Sequence, residues 1–183
     1  VTTLVPAPDR GLEASMQAAA ASEKNEILAP RLFPIWGWGR NSGFSRLELD
    51  DPANADKIAK AMIAKGAHVV SVGGQGWSSE LFGAVCKAVY ANGGITTVHL
   101  PPSTNAIVQA VDAARLGVTM IEHHYGYAES ALDRQVQNFP RGYDYNDENA
   151  RFRHAGKVWV DTNRERLLTE VADSLAAYGV TML

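Results

Sequence analysis

The chain has 183 residues, 46% of them hydrophobic, with a formal net charge of −3 and a pI near 5.9. That is enough for one good-sized domain, and the weak acidity leaves no footprint for nucleic acid or an anionic membrane. No apolar run reaches the roughly 18 residues of a membrane-spanning helix, and the single cysteine, Cys86, excludes an internal disulfide while leaving the compartment open.

In chain order, residues 1–5 (VTTLV) read as a β-branched strand, and Pro6, Pro8 and Gly11 form a loop. An Ala-rich helix is predicted over 12–23 and a second strand over 31–36. The glycine-rich loop that follows carries Trp36, Trp38 and Arg40, which either line a pocket or pack under the rim. Asp51-Pro52 predicts a helix start, with an acceptor at the N-cap and proline at the first position. That helix runs to Lys65, and Gly66 stops it. Residues 67–72 (AHVVSV) form a third strand whose continuous apolarity suits cover on both faces. After Gly73-Gly-Gln-Gly-Trp77, Ser78 or Ser79 caps a helix over 80–91, which places Cys86 on a buried apolar face.

Residues 93–126 carry the chemistry. GITTVH ends in His99, GVTMIEH ends in His123, and a helical pattern over 104–116, capped by Ser103, lies between them. Two glycine-led β-branched runs joined by a helix make a βαβ unit with parallel strands. Both histidines then sit at the C-terminal ends of their strands, where α/β folds keep their active sites.

Beyond Tyr127 a short helix is predicted over 129–138. A polar excursion follows at about 139–160, in a domain otherwise spanning 1–183. Thr162-x-x-Glu165 reads as a capping box that opens a helix over 163–178, with Leu167, Leu168, Val171 and Leu175 on one face. Gly179 ends it, and GVTML begins another strand.

Helix, glycine, then β-branched strand recurs at Gly66, Gly93-Gly94, Gly117 and Gly179. Six strands alternating with helices predict a parallel sheet. A (β/α)8 barrel needs roughly 250 residues, so the expectation is an incomplete TIM-type barrel, about two units short, as in an internal piece of a longer chain. Aligned on their leading glycines, Ser71, His99 and His123 fall at one strand edge. Imidazole is the commonest protein metal ligand, but a catalytic zinc site takes about three protein ligands and a water. Further ligands are therefore expected from elsewhere. His68 stands early in its strand and reads as structural; His154 lies in the polar excursion, solvated or part of a lid.

GITTVH and, one unit later, GVTMIEH resemble the strand-5 and strand-6 signatures of the amidohydrolase superfamily. VTTLVPAPDRG, APRLFP and GVTML resemble its strands 2, 3 and 7, so the likeness covers nearly the whole chain in order, roughly strands 2 to 7. The most similar branch is the imidazolonepropionase-like and prolidase-like one, whose members hydrolyse C–N bonds in cyclic or peptide-like amides. The resemblance implies that His99 and His123 are metal ligands, with zinc the expected ion. The family's H-x-H pair would lie before Val1 and its strand-8 aspartate after Leu183. The two-metal branch bridges its ions with a carboxylated lysine on strand 4, where this chain has Ser71, so a mononuclear site is expected.

The implied mechanism is metal-assisted hydrolysis of a small-molecule substrate, the ion acidifying a water and polarising the scissile carbonyl. His123 then either ligates the ion or donates to substrate. His124 and Tyr125 would face the pocket mouth and stabilise a developing oxyanion, and Gln75 and Trp77 would contact substrate. Two competing readings stand beside this one. The first is an inactive barrel serving as a binding or scaffold module, which Ser71 favours. The second is a metal-free enzyme whose rim histidines act as acid and base. Open parallel edges at the first and last strands also predict oligomerisation or poor solubility of these residues by themselves.

Overall fold

The structure, a computed structural model, describes residues 3–4, 11–39, 41–73, 77–100, 108–123, 125–132 and 147–182. It forms two compact units, one of Val1–Val72 with Gly83–Thr97 and the other of Gly73–Phe82 with Val98–Leu183.

In the first unit, β1 (Thr3–Leu4) pairs in parallel with β2 (Arg31–Leu32), and helix α1 (Gly11–Glu23) connects them. Strand β3 (Ile35–Gly37) pairs in parallel with β4 (Val69–Gly73), Ile35 opposite Val69. The single strand expected over 31–36 is thus two strands with different partners. Pro34 stands between them, has no N–H to continue a ladder, and accepts from the His68 and Val69 amides, both at 3.0 Å. Ser15 of α1 closes the corner by accepting from the Ile35 amide at 3.2 Å.

Helix α2 (Arg46–Leu49) opens on a capping box of Ser45 and Glu48. Asp51 caps as expected, accepting from the Ala53 amide at 2.9 Å, but the turn it starts, Pro52–Asn54, is 3-10 and leads into α3 (Ala55–Ala64). The buried face of α3 is Ile58, Ala59 and Met62, as the period of 3.6 requires. Full burial of Ile58 and Met62 contributes about 1.5–3 kcal/mol each. Helix α4 (Ser79–Ala91) takes Ser78 as its cap, the hydroxyl accepting from the Leu81 amide at 3.1 Å. Cys86 is buried on this helix, and burial pushes its thiol up to about 12, against a hydrogen bond with Thr96. Such a thiol is inert as a nucleophile at neutral pH. Strand β5 (Ile95–His99) neighbours β4, and its first three residues belong to this unit.

The second unit holds the end of β5, then α5 (Ala110–Arg115), β6 (Met120–Glu122), α6 (Tyr127–Ser130), α7 (Glu148–Asp161), α8 (Arg164–Arg166), α9 (Ala172–Ala177) and β7 (Thr181–Met182). The strands run in the order β5-β6-β7, and β6 pairs with β7 in parallel. Helix α5 is shorter than the 104–116 expected. Gln109 is extended, and its amide donates to Asp112 at 3.2 Å, so the helix begins at Ala110; Ser103 lies outside the described residues.

Two further expectations need correction. Thr162 does not open a capping box. Its hydroxyl donates back to the Val158 carbonyl at 2.7 Å and finishes α7, while Asn163 caps α8 by accepting from the Arg166 amide at 3.1 Å. The helix over 163–178 is interrupted by a π turn, Leu167–Val171. A π turn rotates everything after it relative to what came before. Val171 and Leu175 therefore point inward while Leu168 is 71% exposed, off the face predicted for it. The short helix expected over 129–138 is the single turn α6; residues 133–138 lie outside the described set. In the polar stretch, the described part from residue 147 is chiefly the regular helix α7, and His154 is within it.

Candidate metal centre

His99 is the last residue of β5, and His123 directly follows β6. Their imidazoles meet edge to face with centroids 4.9 Å apart. Tyr125 packs edge-on to both, at 5.6 Å from His99 and 6.0 Å from His123, and is buried. The two histidines expected to share a site thus lie side by side at the ends of their strands.

A third residue joins them that strand periodicity argues against. Glu122 and His123 are consecutive, and successive side chains on a strand point to opposite faces. His123, however, has φ of +58°, a left-handed conformation that few non-glycine residues adopt. The strand ends there and the chain turns. Ligand atoms of His99, Glu122 and His123 come within 4.8 Å of one another. The only sequence signal was the phrase IEH itself. His99 and Glu122 are half-buried and His123 is exposed, so the group is open to solvent on one side. Two imidazoles and a carboxylate are a donor set suited to zinc; the group could hold a metal ion. Backbone strain in a non-glycine residue costs about 1–3 kcal/mol and concentrates at functional positions.

The backbone at Gly126 is held by hydrogen bonds on both sides. Gly126 has φ of +86°, and its amide donates to the Glu129 carboxylate at 2.7 Å. Its carbonyl accepts from the Ser130 hydroxyl at 2.6 Å and the Ala110 amide at 3.3 Å. Burial pushes the Glu129 carboxyl from 4.5 up to about 7, against the hydrogen bonds from its own and the Gly126 amides. Between those values the folded state holds a proton that the unfolded chain has released. Stability therefore falls as pH rises from about 4.5 to 7 and levels off above that. Glu129→Gln keeps an acceptor for Gly126 and removes the charge. The pH-dependent difference between the two proteins is expected to approach about 3 kcal/mol, read as urea midpoints at pH 4.5 and 8. Parallel pH profiles for both would count against a buried, protonated Glu129.

The other expected site residues divide. Trp77 lies against Gly73, where a Cβ would come within 2.7 Å of its indole nitrogen, and it stacks edge-on to Phe82 at 6.4 Å. Ser71 is the third residue of β4, two short of its end, and its carbonyl accepts from the Trp38 amide at 2.8 Å. His68 precedes β4, is exposed, and packs against Phe33 at 5.9 Å, away from the strand ends. Trp36 is buried, with Lys65 Nζ 5.5 Å from its ring, and the Trp38 indole donates to the Leu49 carbonyl at 3.4 Å. Gln75, His124 and Arg40 lie outside the described residues.

No protein-family model and no curated protein matches the sequence. Solved structures that resemble it include the two that follow. An uncharacterized protein aligns over 99% of this chain and 53% of its own, at 19% identity and a TM-score of 0.51. A provisionally assigned prolidase from Bifidobacterium longum aligns over 100% of this chain and 51% of its own, at 16% identity and a TM-score of 0.54. The chain spans about half the length of each, and at these identities the likeness is one of fold: mixed α/β, with parallel strands.

Proposed function

We propose that the protein is a metal-dependent hydrolase of C–N bonds, acting on amide, cyclic amide or peptide-like small molecules, and that its strands belong to a (β/α)8 barrel of amidohydrolase type. The observation that carries the reading is the meeting of His99 and His123 at the ends of neighbouring strands, with rings 4.9 Å apart. The fold-level likeness to a provisionally assigned prolidase supports the reaction class. His99 and His123 would hold one divalent ion, zinc by donor type, and Ser71 in place of a bridging lysine supports one ion rather than two. Such an ion supplies a water acidic near neutral pH and a Lewis acid for the scissile carbonyl. Tyr125 holds both imidazoles edge-on and restricts their rotation. His124, Tyr125, Gln75 and Trp77 are the groups proposed to contact substrate.

The test is hydrolysis of N-acyl amino acids, proline-containing dipeptides and cyclic amides before and after dialysis against a chelator. Activity should disappear on chelation and return with stoichiometric Zn2+. Hydrolysis that survives complete metal removal would favour the acid–base reading of the histidines. Metal binding with no turnover of any of the three classes would favour a binding module, the reading Ser71 suggests.

A further inference from the structure

We propose that Glu122 is a third protein ligand, so that His99, Glu122 and His123 together hold one divalent ion at β5, β6 and the residue after it. The proposal rests on the metal-dependent reading above. It adds a ligand that neither strand alternation nor the family resemblance supplies.

Three observations lead to it. The first is distance. Ligands of a tetrahedral ion at about 2.1 Å stand about 3.4 Å apart, and the three candidate atoms already lie within 4.8 Å of one another. Closing that gap takes a movement of about 1.4 Å per pair at most. The second is the backbone. The left-handed His123 turns the chain where a continued strand would have sent Glu122 and His123 to opposite faces. A strained residue that brings two donors together has a physical purpose if both bind the same ion. The third is charge and access. One carboxylate and two neutral imidazoles leave a divalent ion with net charge +1 and a fourth position free for water. The exposed edge at His123 gives the ion a way in.

The experiment is Co2+ titration of the protein, followed by the d–d absorption of the bound ion and by calorimetry. One Co2+ per chain is expected, with the spectrum of a four- or five-coordinate site. Glu122→Gln should weaken binding more than a hundredfold and alter the spectrum, because a neutral amide replaces a carboxylate ligand. Glu122→Asp should bind with intermediate affinity, and far-UV circular dichroism of both variants checks the fold independently of the metal. A carboxylate that only hydrogen-bonds an imidazole would cost about 10–100-fold in affinity without changing the ligand set. An unchanged Co2+ spectrum in Glu122→Gln would therefore overturn the proposal while leaving the metal reading standing. If the unsubstituted protein binds no Co2+, the metal reading fails first and this proposal with it.

Discussion

Replacing His123 by asparagine is expected to lower kcat/KM for the best substrate by about a thousandfold or more, equivalent to about 4 kcal/mol of transition-state stabilisation, while leaving the protein folded. The choice of asparagine follows from the backbone. His123 has φ of +58°, and asparagine is among the few side chains that tolerate that region. Alanine would add backbone strain to the loss of the imidazole and confuse the two effects. His99 ends a regular strand, so His99→Ala carries no such penalty and should cost as much activity. Thermal unfolding without metal separates chemistry from folding. Both variants should unfold close to the parent, and both should lose the metal-dependent rise in Tm that a ligand of the native state produces. Full activity in either variant would sink the proposed site.

Gly126→Ala is expected to be the most damaging small substitution near the site, at about 2–4 kcal/mol of stability. Two costs combine. Gly126 has φ of +86°, where a Cβ is strained whatever surrounds it. That Cβ would also stand 2.5 Å from Leu100 Cδ1 and 3.0 Å from the Ala110 backbone nitrogen. Leucine can shift, but the backbone nitrogen belongs to the start of α5, which donates to the Gly126 carbonyl. The turn cannot relax without releasing that bond and the one from the Gly126 amide to Glu129. Because Tyr125 precedes Gly126 and packs on both imidazoles, metal affinity should fall along with stability. Gly156→Ala is the contrast: it lies in α7, and its Cβ would meet nothing within 4 Å. Helix propensity then predicts a gain of up to about 1 kcal/mol. Urea denaturation of the two variants should give opposite signs, and a Gly126→Ala protein as stable as the parent would refute the account of the turn.

Local chemistry carried much of the fold. Gly66, Gly93, Gly117 and Gly179 stand as helix stops after periodic apolar runs, and all four adopt positive φ. Asp51 and Ser78 cap where short polar side chains before a helix are expected to. These features depend on a few neighbouring residues, so a linear reading reaches them. The misreadings arise where a distant partner or an inserted residue changes the outcome. Pro34 divides an apolar run because β2 and β3 pair with different strands. The π turn at Leu167–Val171 shifts a helical face that a constant 3.6-residue period cannot anticipate.

The candidate site divides the same way. His99 and His123 were legible because each ends a glycine-led β-branched strand, a pattern contained in about seven consecutive residues. Glu122 was not, because alternation along a strand sends it to the face opposite His123. The left-handed backbone at His123 is where the carboxylate and the imidazole come together. By itself, then, the sequence determined which strands end in imidazoles; the tertiary structure decided that a carboxylate joins them, because that depends on a backbone conformation with no signature in residue order.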